Sequence, residues 1–174
     1  MDRDEIEAAL EELGHELKRL GVEGARLHLV GGAVMVLDFG SWEATEDVDG
    51  HIYPTDEVKL VAQQVGRRRG LNEEWLNDAT KAYVPVFKEP EWRLIKTVGS
   101  PSIHLADARS ILAIKTRASR GRRDEADLRV LMHRCGITSE EEAVALFDEY
   151  YPDDALKPIA RPMIRFALEN DGGV

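Results

Sequence analysis

The stretch from Arg26 to Phe39 constrains the fold more than any other part of the chain. Arg26, Leu27, His28, Leu29 and Val30 alternate polar and apolar side chains as a half-buried strand does. Gly31-Gly32 follows at once, and Ala33 to Phe39 is apolar enough to be a buried helix, stopped by Gly40 and Ser41. A strand that turns straight into a buried helix calls for a sheet with helices packed on it.

The flanking segments extend that pattern. Ile6, Leu10, Leu13, Leu17 and Leu20 recur at helical spacing, with Asp2 or Asp4 to cap the helix and Gly21 and Gly24 to end it. Glu46 to Tyr53 reads as a second strand, closed by Pro54-Thr55-Asp56, which also caps a helix running from Asp56 to Arg69. The mixed signals of Leu71 to Thr80 assign it no element. Arg93 to Val98 and Ser102 to Leu105 read as strands between Pro90, Gly99 and Pro101. Beyond them the chain is helical over Asp107 to Ala118, Asp124 to His133, Ser139 to Tyr150 and Asp154 to Leu168, and Thr138 with Glu141 has capping-box spacing. The expected class is α/β (α+β): a small mixed β-sheet covered by helices, with a helical C-terminal third. With 174 residues, residues 1–174 are expected to form a single domain, its core at about 26–105 and its helical part at about 106–170.

Charge and cysteine content narrow the function. The formal net charge is -10, and no recognition-helix pattern is flanked by a basic arm, which argues against sequence-specific DNA binding. A single cysteine, Cys135, excludes an intramolecular disulfide framework and a Cys-rich zinc site and fits a cytoplasmic protein. The acidic first twenty residues resemble neither a signal peptide nor a membrane span.

Chemistry concentrates in two places. Asp47 and Asp49, two apart on an expected strand, send both carboxylates from one face, about 6–7 Å apart at Cα. An isolated pair of this kind is ordinarily two solvated acids. Here it follows Gly31-Gly32 by about fourteen residues, and glycines at a strand-to-helix junction let a phosphate approach the backbone. A phosphate cradle beside a carboxylate clamp for Mg²⁺ or Mn²⁺ is what nucleotidyl transfer requires. The second place is Lys115 to Arg134, which carries +4 against -14 for the rest of the chain. Such a basic edge attracts a triphosphate or an RNA backbone. Lys115, emerging beside Ile111, Leu112 and Ile114, could either snorkel to water or reach a phosphate.

Gly31-Gly32, the run Thr45-Glu46-Asp47-Val48-Asp49, and the later Ile114-Lys115 with Arg120-Gly121-Arg122-Arg123-Asp124-Glu125-Ala126-Asp127-Leu128 resemble the minimal nucleotidyltransferases of the abortive-infection toxin type, over about residues 26 to 135. Trp75-Leu76-Asn77-Asp78 is similar to a segment of a prokaryotic subgroup of nucleotidyltransferase-like proteins. The resemblance implies a nucleotidyltransferase fold, Mg²⁺ (or Mn²⁺) at Asp47 and Asp49, and an NTP donor contacted by Gly31, Gly32, Thr45 and Lys115. It also implies catalytic roles for Asp47, Asp49, Lys115 and either Asp127 or Asp124. The acceptor would be tRNA, another RNA or a protein, and the setting a toxin–antitoxin or stress system with a cognate antitoxin or partner protein.

Two departures accompany the resemblance. Glu43 stands where the family usually has Arg, and Arg93 to Leu105 contains no acid to serve as a third carboxylate, leaving Asp78, Glu89 or Glu91 as substitutes. They support an alternative: a catalytically inactive nucleotidyltransferase-like binding, antitoxin or regulatory protein. Of the five histidines, only His51 falls on the strand face of Asp49. Trp42, Trp75 and Trp92 read as core or interface aromatics, although Trp42 approaches Asp47.

Overall fold

The computed structural model describes residues 1–39 and 44–169, without the side chains of Arg122 and Arg123. The expectations for Gly40, Ser41, Trp42 and Glu43 and for those two arginine side chains therefore lie outside the described residues. The protein is a mixed α/β chain that divides into two compact units: Met1–Ala82 with Trp92–Ala106, and Tyr83–Glu91 with Asp107–Val174.

Unit 1 holds a five-stranded mixed sheet. Its elements are α1 (Arg3–Arg19), β1 (Arg26–Val30), α2 (Gly31–Leu37), β2 (Val48–Tyr53), α3 (Thr55–Arg69), β3 (Leu76–Asn77), β4 (Trp92–Thr97) and β5 (Ser102–Ala106). The strand order is β3-β2-β1-β5-β4. β1 runs antiparallel to β2 and parallel to β5, β3 is parallel to β2, and β4 is antiparallel to β5. Leu27, Leu29, Ile52, Ile103 and Leu105 occupy one face and are buried. The period of two puts His51, His28 and His104 on the opposite face, side by side on β2, β1 and β5.

α1 forms because its apolar stripe, Ile6, Leu10, Leu13 and Leu17, is buried along its whole length. A capping box closes its start: the Asp2 carboxylate accepts from the Glu5 N–H, and the Glu5 carboxylate from the Asp2 N–H, each at 2.9 Å. At the end of α3, Arg68 and Arg69 reach back to Glu12 on α1, so this basic run braces two helices as well as opposing the dipole.

Unit 2 is helical: α4 (Ala108–Ala118), α5 (Arg122–Cys135), α6 (Glu140–Tyr150) and α7 (Ala160–Glu169). Buried Ile111, Leu112, Leu128, Leu131, Leu146, Phe147, Met163 and Ile164 fill its core. The Tyr83–Glu91 segment belongs here, tied down by a hydrogen bond from the Tyr151 hydroxyl to the Tyr83 carbonyl and by the ion pair of Lys88 with Glu149.

Several boundaries differ from the sequence reading. β2 starts at Val48, so Asp47 precedes the strand. Its neighbour Thr45 turns the chain there, donating from Oγ1 to the Asp47 carbonyl at 3.0 Å. α2 starts at Gly31, two residues early, and α7 starts at Ala160 rather than Asp154. Pro158 disfavours helix at Lys157, whereas Pro162 is tolerated in the first turn of α7. The cap of α6 is Ser139, accepting from the Glu142 N–H at 3.2 Å, while Thr138 donates to the Glu142 carboxylate. Within Leu71 to Thr80 the chain adds β3, a short strand that gains its place by pairing with β2. Among the described residues no helix is long and apolar enough to cross a membrane.

Candidate functional site

Gly31 takes the first position of α2 with φ +68°, a left-handed conformation that side chains other than glycine adopt only with strain. Register sets Asp49 opposite Val30, the residue before it. The result is a close approach: a Cβ on Gly31 would lie 3.0 Å from Asp49 Oδ2, and a Cβ on Gly32 would run into Thr45 Oγ1. The two glycines thus make room for the Asp49 carboxylate and the Thr45 hydroxyl. Thr45 is itself buried, and its N–H donates to the Met1 carbonyl at 3.0 Å. Four of the residues singled out by sequence, Gly31, Gly32, Thr45 and Asp49, are therefore in one place.

Asp47 opens onto a cleft of about 440 Å³ in unit 1, lined by Glu46, Lys59, Glu74, Asn77 and Asp78 among others. The Asn77 side-chain amide donates to Asp47 Oδ2 at 3.0 Å and so orients the carboxylate. Asn77 reaches it because β3 pairs with the start of β2, Val48 opposite Leu76. Asp78 forms an ion pair with Lys59, and that ammonium holds the Asp78 carboxyl below its ordinary pKa against a smaller opposing effect of burial. The lining carries five carboxylates (Glu46, Asp47, Glu73, Glu74, Asp78) against the single ammonium of Lys59, a field that repels a bare polyanion. His51, on the Asp49 face of β2, is pushed below its ordinary pKa by burial and then by the charge of Lys81.

In unit 2, Lys115 neither snorkels nor points at open solvent. It is 4% exposed, and its ammonium lies 3.0 Å from Asp124 Oδ1 and 2.6 Å from Asp127 Oδ2. Asp124, fully buried, also accepts from the Arg120 backbone N–H at 3.0 Å and from the Arg120 guanidinium at 3.2 Å. Burial raises the Asp124 pKa, but the Lys115 charge and the Arg120 and Lys115 hydrogen bonds outweigh it and hold the carboxyl below its ordinary value. Lys115, Asp124 and Asp127 thus form one internal ion network. Of the substitute acids, Asp78 lines the cleft with Asp47, while Glu89 and Glu91 belong to unit 2.

Trp75 is a core residue: fully buried, it donates from Nε1 to the Ala62 carbonyl at 2.8 Å. Burial pushes the Cys135 thiol up to about 11, which leaves it protonated at neutral pH. The sequence reading named Asn77 within the Trp75–Asp78 segment of the resemblance but gave it no role; its contact with Asp47 arises from the pairing of β3 with β2.

The fold and these side chains define a mixed α/β protein in which Asp49 seats against a diglycine turn and Asp47 opens onto an acidic cleft. Comparison with protein-family models, with curated proteins and with solved structures yields no match.

Proposed function

We propose that this chain is a Mg²⁺-dependent nucleotidyltransferase that moves an NMP from an NTP to an RNA or protein acceptor, in a toxin–antitoxin or stress system of the prokaryotic cytoplasm. The observation that carries the reading is the seating of Asp49 directly over Gly31, with Asp47 two residues away at the mouth of a polar cleft.

The residues fit the ion. Mg²⁺ and Mn²⁺ take oxygen ligands, and Mg²⁺ commonly binds through one or two carboxylates together with water and substrate phosphates. Among the described residues no group of three His, Cys, Asp or Glu side chains is arranged to hold a metal. Asp47 and Asp49 would therefore hold it jointly with the phosphates of the nucleotide. When bound, the cation supplies charge neutralisation for the triphosphate and Lewis-acid activation at the α-phosphorus.

This chain's own groups would do the rest. The Asn77 amide keeps Asp47 oriented, and Thr45 fixes the turn that delivers both acids. In the reaction an acceptor oxygen bonds to the α-phosphorus, the bond to the β-phosphate oxygen breaks, pyrophosphate leaves, and the acceptor proton passes to solvent. The acidic cleft admits a triphosphate once its charge is neutralised by the cation.

One observation favours a second reading, an inactive nucleotidyltransferase-like binding or regulatory protein acting through a partner such as an antitoxin. Lys115, which the resemblance assigns to the nucleotide, has its charge taken up by Asp124 and Asp127. Label transfer from each of four α-labelled NTPs to total tRNA and total protein separates the two. The enzyme reading predicts transfer that is lost in Asp47→Asn/Asp49→Asn with the fold intact. Nucleotide binding without transfer selects the second reading, and equal transfer by the double variant rejects the first.

A further inference from the structure

We propose that the His28 imidazole, stacked on the Trp92 indole and met edge-on by His104, forms an acid-operated catch on strand β4: the neutral His28 ring holds Trp92 to the sheet, and a proton taken up there loosens the strand. The inference is independent of the proposed activity. His28 and His104 are register partners on the parallel strands β1 and β5, and their rings meet edge to face with centroids 4.9 Å apart. The indole of Trp92 stacks on His28 at 4.5 Å and 15°. Trp92 is the first residue of β4 and pairs with Ala106, so this stack fastens the start of the strand.

β4 has little buried surface to lose. It is one of the two outer strands of the sheet, its register slips between Leu94 and Lys96, and Arg93 to Thr97 are all exposed. Strands with little buried surface open first; beyond its ladder with β5 and the ion pairs of Arg93 with Asp38 and Lys96 with Glu11, the stacked, half-buried Trp92 ring is the aromatic contact that holds this one.

The surroundings of the pair set the direction of the response. Arg26 lies two residues before His28 on the same face of β1, with its guanidinium over the Tyr53 ring at 5.3 Å. His51 sits across from His28 on β2, with Asp49 further along the same face beside Val30. Ser102 and Leu94 complete the surroundings from β5 and β4, Ser102 Oγ lying 3.1 Å from His104 Nε2. His104 Nδ1 is buried and has no hydrogen-bond partner among the described residues. A proton here enters a half-buried row that already faces the permanent charge of Arg26. An indole face attracts a cation, but burial, His104, Arg26 and His51 all push His28 below its ordinary pKa. His28 therefore takes a proton more readily once β4 has opened, so acid favours the opened strand.

Backbone amide exchange, corrected for intrinsic rates, tests this on the full chain between pH 7 and pH 5, with the histidine rings and the Trp92 indole followed by NMR. Protection of the β4 amides is expected to fall about tenfold further than that of the β1–β2 amides, tracking the His28 titration. The excess loss should vanish in His28→Gln or in His28→Phe, so that either variant suffices if the other does not fold. Equal loss in β4 and in β1–β2 for the natural chain would overturn the proposal. So would the full excess loss persisting in a folded variant.

Discussion

The carboxylates of Asp47 and Asp49 and those of Asp124 and Asp127 stand in opposite surroundings. In unit 1 the acids are half-buried at a glycine turn and a polar cleft, and Asp47 is oriented by a neutral amide, Asn77. In unit 2 Asp124 is fully buried and held by Lys115 and Arg120. An acid oriented by an amide keeps its charge available to a cation from outside, whereas an acid neutralised from within contributes to the fold. The same residue type thus supplies a candidate site in one unit and a structural anchor in the other.

The largest expected effect breaks the anchor. Lys115→Ala leaves Asp124 buried without its main cation and should destabilise unit 2 by about 3–5 kcal/mol in denaturant unfolding. Lys115→Met with Asp124→Leu should recover part of that loss, because the uncompensated charge is gone. No recovery would mean that Lys115 acts mainly by packing.

Acid attacks the same network more gently. The folded pKa of Asp124 lies below its unfolded value, so its stabilisation is complete above the ordinary carboxylate range, about pH 4, and is lost as pH falls through the depressed folded value. Thermal melts from pH 7 to pH 2 should show an acid-side loss that is smaller in Asp124→Asn. An identical acid limb in both proteins would contradict this linkage.

In unit 1, Gly31→Ala introduces a side chain at φ +68° against Asp49 and should cost about 1–3 kcal/mol. It should also shift Asp49, so nucleotide-dependent metal binding falls further than stability does. The smallest effect belongs to the exposed pair Arg67–Glu73: Arg67→Ala should leave the thermal midpoint unchanged.

Much of this architecture was legible before the structure, because the information was local. The apolar stripe of α1, the alternation of β1 and the β-branched Val48 and Ile52 of β2 each report their own burial. What was not legible depended on distant pairing. β3 is two residues long and exists through its bond to β2, so no window of sequence announces it. The diglycine and Asp-x-Asp were readable as neighbours in sequence, but their seating, Asp49 over Gly31 and Thr45 over Gly32, required the Val30–Asp49 register. Lys115 read equally well as a phosphate ligand, because its partners lie a helix away in α5 and a buried ion pair has no one-dimensional signature.

The proposed joint hold of Asp47 and Asp49 on a divalent cation is tested most directly by Mn²⁺ titration followed by electron paramagnetic resonance, with and without a non-hydrolysable NTP. The natural chain should bind the ion tightly only when nucleotide is present, and Asp47→Asn/Asp49→Asn should lose that binding while melting as a folded protein. Nucleotide-dependent binding that is unchanged in the double variant would contradict the account.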